Sequence, residues 1–202
     1  LANNLDAGRQ DLLSKFILIS EHTFKTLDTT KILFTDKEFK PLPYKLQLDS
    51  TRKNLIFEHG WTENTTYNLI LDKDFATDSL GKQYIKKDTI NFNSKKESDY
   101  GSMDIRFDNI DTAQQTILLL ERDGKTYLKH TIAAARLNIK LFPPGEYQVS
   151  ILLDKNKNGK WDTGNYWKKL QPEIVIARKQ SLTIRPNWDN ELRLNLSEFN
   201  QQ

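Results

Sequence analysis

The stretch DKNKNGKWDTGNY, Asp154 to Tyr166, holds the residues of this chain best spaced for chemistry. Asp154, Asn156 and Asn158 fall at the first, third and fifth positions of a calcium loop, Gly159 at the sixth, the Lys160 carbonyl at the seventh and Asp162 at the ninth. The spacing has a physical reason. Alternate side chains of a tightly turned loop point inward, and glycine permits the sharp turn that lets a backbone carbonyl join them. Asn165 stands at the twelfth position in place of a bidentate glutamate, so only Asp154 and Asp162 bring formal charge. The expectation is a weak structural calcium site, with a dissociation constant of about 10⁻⁴ to 10⁻³ M, as in extracellular modules. The same residues equally make an Asx-rich loop whose side chains bond their own backbone and which turns at Asn158-Gly159. Spacing leaves both readings open, and in both the role is structural.

Other constellations are sparse. His22, His59 and His130 lie in separate strand neighbourhoods, and neither a paired-histidine zinc motif nor a Gly-x-Ser-x-Gly elbow occurs. Glu121 and Asp123 read as ordinary turn and edge charges, and the 8 glycines form no phosphate-binding loop. The absence of cysteine excludes disulfides and thiolate chemistry. No catalytic residue is nominated, and a non-enzymatic role is expected. Trp161, Tyr166, Trp167 and Trp188 offer an alternative, an aromatic platform for sugar rings, although large aromatics also serve to close a sandwich core. Trp61 reads as packing or a partner contact.

The elements that must position these residues are strands. With 202 residues, 37% hydrophobic, the chain can bury two cores of about a hundred residues each. Period-two alternation recurs at Tyr44, Leu46, Leu48, at Tyr67, Leu69, Leu71 and at Tyr147, Val149, Ile151, Leu153. Short β-rich runs fill residues 16–97 (FILIS, KILF, YKLQL, NLIF, TYNLIL, TINF) and resume after 98 (SMDIRF, QTILLLE, TYLKHTI, LNIKLF, YQVSILL, EIVIA, LTIRP, LRLNL). Turns are expected at Asp49-Ser50-Thr51, at Gly81, at Asp123-Gly124 and at Pro143-Pro144-Gly145. The polar run NSKKESD, Asn93 to Asp99, reads as a linker. Residues 1–15 form a lead-in that is either a short helix, with Leu5, Leu12, Leu13 and Phe16 on one stripe, or an extended segment. The fold class expected is all-β, two tandem antiparallel sandwiches. A net charge of +3 with scattered charges gives no reason to expect nucleic acid. No apolar run approaches the roughly 20 residues of a membrane span, so membrane attachment is expected from a lipid or partner outside this segment.

Two stretches resemble known families. Residues 16–97, with Asn64-Thr65-Thr66-Tyr67 and Asp78-Ser79-Leu80-Gly81-Lys82, resemble the bacterial Ig-like domain first described in S-layer proteins. Residues 98–202 carry PGEY, DKNKNGKWDTGNY, KKLQPE and RPNWD in an order that resembles the C-terminal region of Ig-like-domain lipoproteins of the Bacteroidota envelope, a transthyretin-like or B-type sandwich. Pro186 departs from the pattern and is expected to end its strand early. The resemblance implies an exported lipoprotein of the outer membrane, on its surface or periplasmic side, anchored by an acylated cysteine upstream of Leu1. It implies envelope proteins as partners, as in an accessory subunit of an outer-membrane complex, and no activity. Asp28-Thr29-Thr30, Asp49-Ser50-Thr51, Asp78-Ser79-Leu80, Asp88-Thr89-Ile90 and Asp111-Thr112-Ala113 are similar to an O-glycosylation signal of the same group, and equally to simple turn starts.

Overall fold

The computed structural model describes residues 1–82, 84, 86–111 and 115–199; Thr112 and Ala113 of the last glycosylation signal lie outside them. Among the described residues the chain is strands, loops and three short 3-10 turns, with no α-helix. It divides into two compact units, Leu1–Glu97 and Ser98–Gln202.

The first unit contains β1 (Ala2–Asn3), β2 (Arg9–Gln10), β3 (Phe16–Ile19), β4 (Phe24–Leu27), β5 (Ile32–Asp36), β6 (Lys45–Leu48), β7 (Asn54–Glu58), β8 (Thr66–Leu71), β9 (Ala76–Asp78) and β10 (Asp88–Ser94). One sheet runs β1-β3-β7-β6, the other β2-β10-β8-β5, and β4 with β9 forms a separate ribbon. Their apolar faces meet: Phe16, Leu18, Leu55 and Phe57 on one side, Ile32, Phe34, Tyr67, Leu69, Leu71 and Phe92 on the other, are all buried. Period two puts these residues on one face of each strand, and full burial of such a side chain is worth about 1.5–3 kcal/mol.

The lead-in adopts neither expected form as a whole. Ala7 and Gly8, at φ 48° and 75°, turn the chain between two strand pairings, β1 antiparallel to β3 and β2 parallel to β10. A helical stripe cannot survive two consecutive left-handed residues. Leu5 and Phe16 reach the core instead, while Leu13 stays exposed. The run NSKKESD begins inside β10, where buried Ser94 donates to the Thr62 carbonyl at 2.5 Å, and ends in a 3-10 turn over Glu97–Asp99.

The second unit contains β11 (Gly101–Asp108), β12 (Gln115–Arg122), β13 (Lys125–Thr131), β14 (Arg136–Phe142), β15 (Gly145–Asp154), β16 (Ile174–Ala177), β17 (Leu182–Ile184) and β18 (Asp189–Asn195). Sheet β14-β11-β18 packs on β13-β12-β15-β16, with β17 also on β15, and β18 runs parallel to β11. Met103, Ile105, Phe107, Leu118, Leu120, Tyr147, Val149, Ile151, Leu192 and Leu194 form the core. Both units are therefore β-sandwiches, antiparallel except at β2–β10 and β11–β18.

Turn chemistry explains the connections nearest the loop of interest. Asp123 and Gly124, both at positive φ, close the β12–β13 hairpin. After Pro143-Pro144 the chain passes Gly145 at φ 150°, where an added Cβ would lie 2.2 Å from the Arg122 guanidinium. That guanidinium sits 4.3 Å over the Tyr127 ring and donates to the Pro144 carbonyl at 2.7 Å. β17 stops at Ile184, two residues before Pro186. On the solvent face of β11, Arg136 and Arg193 pair with Asp104 and Asp108, and hydrogen bonds from the guanidiniums hold both carboxyls below their ordinary range.

Candidate functional site: the loop from Asp154 to Glu173

β15 delivers Asp154 into full burial at the start of the loop, and its carboxylate organises the turn that follows. One oxygen accepts the Asn158 N–H at 3.2 Å; the other accepts the Gly159 N–H at 2.8 Å and the Gln115 side-chain amide of β12 at 2.9 Å. Asn156 Oδ1 accepts the Asn158 N–H at 3.0 Å and Asn158 Oδ1 accepts the Lys160 N–H at 2.7 Å, two successive Asx turns. The Nδ2 groups of Asn156 and Asn158 then converge on Asp162 Oδ2, at 2.6 and 2.7 Å. The left-handed positions are Lys157 and Gly159, not Asn158, so the turn is not the Asn-Gly hairpin that the dipeptide suggests.

The expected site residues Asp154, Asn156, Asn158 and Asp162 are thus brought together, with Lys160 contributing its backbone N–H and leaving its side chain exposed. Each of the four polar side chains is satisfied by protein donors or acceptors. A cation seated among them needs the two asparagine amides to turn over, so that Oδ1 replaces Nδ2 beside Asp162, and this gives up their bonds to the backbone. Among the described residues no three His, Cys, Asp or Glu side chains are grouped as metal ligands.

Sequence spacing missed Glu173. Buried, it accepts the Lys155 N–H at 2.8 Å and the Asn156 N–H at 3.4 Å on one oxygen, and the Asp162 N–H at 3.2 Å on the other. Its own N–H bonds the Asp162 carbonyl at 2.9 Å, and its carbonyl accepts the Trp161 indole N–H at 2.8 Å. Glu173 is the acid of the QPE run, so its motif was visible although its partners were not. Lys129 of β13 also donates to the Gly159 carbonyl, tying the loop to the sheet.

The aromatic residues divide. Trp61 packs edge-on against Phe34 and Tyr67 in the first core and donates to the Ser14 carbonyl at 2.8 Å, with His59 also edge-on beside it. Trp161, Tyr166, Trp167 and Trp188 do not close the second core: they are 52%, 87%, 90% and 58% exposed. Tyr166 and Trp167 meet at 79°, so they present no flat common face, and Trp188 lies under Arg185 at 5.0 Å. His22 and His59 belong to the first unit and His130 to β13 in the second.

Fold and loop together define an all-β protein of two sandwiches, one of which carries a self-bonded Asx loop. No family model matches the chain, and no curated protein matches it. Among solved structures it is similar to native alpha-2-macroglobulin from Escherichia coli, in a fragment spanning domains MG0-NIE-MG1, at 9% identity and TM-score 0.44, covering 92% of this chain and 95% of that one. The Bacillus anthracis TIE protein aligns at 8% identity and TM-score 0.30, over 95% of this chain and 39% of that one. A leucine-rich repeat protein from Bacteroides thetaiotaomicron aligns at 10% identity and TM-score 0.24, over 86% and 25%.

Proposed function

We infer that the chain is a non-catalytic structural and interaction module of an exported outer-membrane lipoprotein, acting as an accessory subunit of an envelope complex. The observation that carries this reading is the open sheet edges of the second unit. β14 spans seven residues without proline and, among the described residues, pairs on one side only, with β11; β13 likewise pairs only with β12 there. Such edges present unpaired N–H and C=O groups that accept a partner strand. The ordered PGEY, DKNKNGKWDTGNY, QPE and NWD series supports the envelope assignment, with the lipid upstream of Leu1. Cross-linking in native envelope membranes followed by purification tests the reading. A stoichiometric complex with another envelope protein is expected, and recovery solely as free monomer overturns it.

The Asp154–Asp162 loop serves this role structurally, taking calcium outside the cytosol through Asp154, Asn156, Asn158, the Lys160 carbonyl and Asp162. With a dissociation constant of about 0.1 mM and free calcium of about 1 mM, occupancy adds about 1.4 kcal/mol. Calcium should then raise the melting temperature of the second unit by about 6 °C over a chelated sample. An unchanged melting temperature leaves the loop to its own hydrogen bonds.

A further inference from the structure

Beyond Asp162 the chain builds a small hairpin that supplies no side chain to the hydrophobic core. Asn165 and Leu170 exchange backbone bonds at 2.9 and 3.0 Å, the Lys169 N–H closes on the Tyr166 carbonyl at 3.1 Å, and the Lys168 N–H bonds Asn165 Oδ1 at 3.0 Å. Gly164 makes the approach possible, since at φ 78° its missing Cβ would lie 2.6 Å from the Leu170 carbonyl oxygen. The turn so fixed projects Tyr166 and Trp167 outward, 87% and 90% exposed, with Leu170 beside them at 59%. Large aromatics held this far from any core mark a contact surface.

The charges decide what kind. Lys168 and Lys169 sit on the tip itself, and Lys155, Lys157 and Lys160 are exposed on the preceding loop. The acids of the same segment are turned inward: Asp154 and Glu173 are buried, and Asp162 is half-buried against two amides. The exposed charges of residues 154–173 are therefore all positive, and two of them, Lys168 and Lys169, adjoin the aromatic pair in sequence. Tryptophan and tyrosine are enriched at protein–protein and membrane–water interfaces alike, and the lysines separate the two, being depleted from the former and attracted to anionic lipid at the latter. Indole and phenol rings lodge at headgroup level, and each nearby lysine adds attraction to an anionic surface.

We propose that the Asn165–Leu170 hairpin docks on an anionic lipid surface, inserting Tyr166 and Trp167 at the headgroup level while Lys168 and Lys169 meet the phosphates. This contact needs no spanning segment, and it stands apart from strand addition at β14 and from any upstream lipid.

The test is co-sedimentation of the chain with vesicles of phosphatidylcholine alone and with phosphatidylglycerol at about 7:3, near 20 mM and near 500 mM salt. Binding is expected on the anionic vesicles at low salt, with a blue shift of tryptophan emission, and at least roughly thirtyfold weaker binding for Lys168→Glu/Lys169→Glu. Tyr166→Ser/Trp167→Ser, at positions that touch no core, should keep the wild-type melting temperature and lose both binding and blue shift. Absence of binding to anionic vesicles overturns the proposal. So does wild-type binding by the aromatic double variant, which would reduce the interaction to general basic charge. An emission shift produced by soluble polysaccharide and absent with vesicles overturns it in favour of glycan stacking.

Discussion

Replacing Glu173 with alanine is expected to lower the stability of the second unit by about 3 kcal/mol, measured as a shift of the urea midpoint at constant slope. Three backbone N–H groups, those of Lys155, Asn156 and Asp162, lose their acceptor at once. Each such loss costs about 1–3 kcal/mol when the donor stays buried. Lys155 and Asn156 are exposed residues, so water partly replaces the carboxylate there, which brings the sum down from its upper limit. Glu173→Gln keeps one oxygen acceptor and should cost about half as much. Amide exchange gives a residue-level readout: the Asp162 N–H should lose protection in Glu173→Ala, while core amides such as Ile151 change only with global stability. A cost below about 0.5 kcal/mol would show that Asp154 and the asparagines hold the loop unaided.

This residue also shows where reading the sequence stops. Strand identity was legible because period-two alternation is a local property: Tyr67, Leu69 and Leu71 had to share a face, and all are buried. Asp123-Gly124 was legible for the same reason, since two positive φ angles at adjacent residues are a local demand. The short strands β4 and β9 were missed because FKTL and ATD hold fewer apolar residues than the equally short β3 and β16, FILI and IVIA, which were legible. The parallel pairings of β2 with β10 and β11 with β18 join segments more than 80 residues apart, and nothing in local pattern encodes them. Asp154, Asn156, Asn158 and Asp162 lie in one hydrogen-bonded loop, but the carboxylate holding the loop's backbone arrives from Glu173, eleven residues beyond Asp162. The exposed tip was misread in part. Trp161, Trp167 and Trp188 suggested core closure by size alone, and only the Gly164 turn and the Asn165–Leu170 pairing reveal that the chain spends backbone bonds to hold its largest side chains outside.

The largest single loss is expected at Phe34. Phe34→Ala should destabilise the first unit by about 4 kcal/mol, within the usual range for a buried phenylalanine. Its ring, 2% exposed, stacks on Tyr67 at 5.5 Å and 13° and meets Tyr44, His59 and Trp61 edge-on at 5.9, 5.1 and 5.9 Å. Rigid rings cannot flow into a vacated volume as leucine or methionine can, so the cavity persists and the lost transfer energy is compounded. Neighbouring pairs also lose edge-to-face terms of about 0.5–1.5 kcal/mol each. Leu69 is buried just as completely in the same unit and lies opposite Phe34 in the β5–β8 pairing, but as an aliphatic side chain it takes part in no ring pair, and Leu69→Ala should fall nearer 3 kcal/mol. Phe34→Leu, which restores most of the volume without the quadrupole, should recover all but about 1.5 kcal/mol. Trp61 lies against the cavity and reports directly: its emission should shift in Phe34→Ala before the denaturant transition begins. Equal costs for the two alanine variants would mean that this cluster acts as plain apolar volume, with ring geometry contributing nothing.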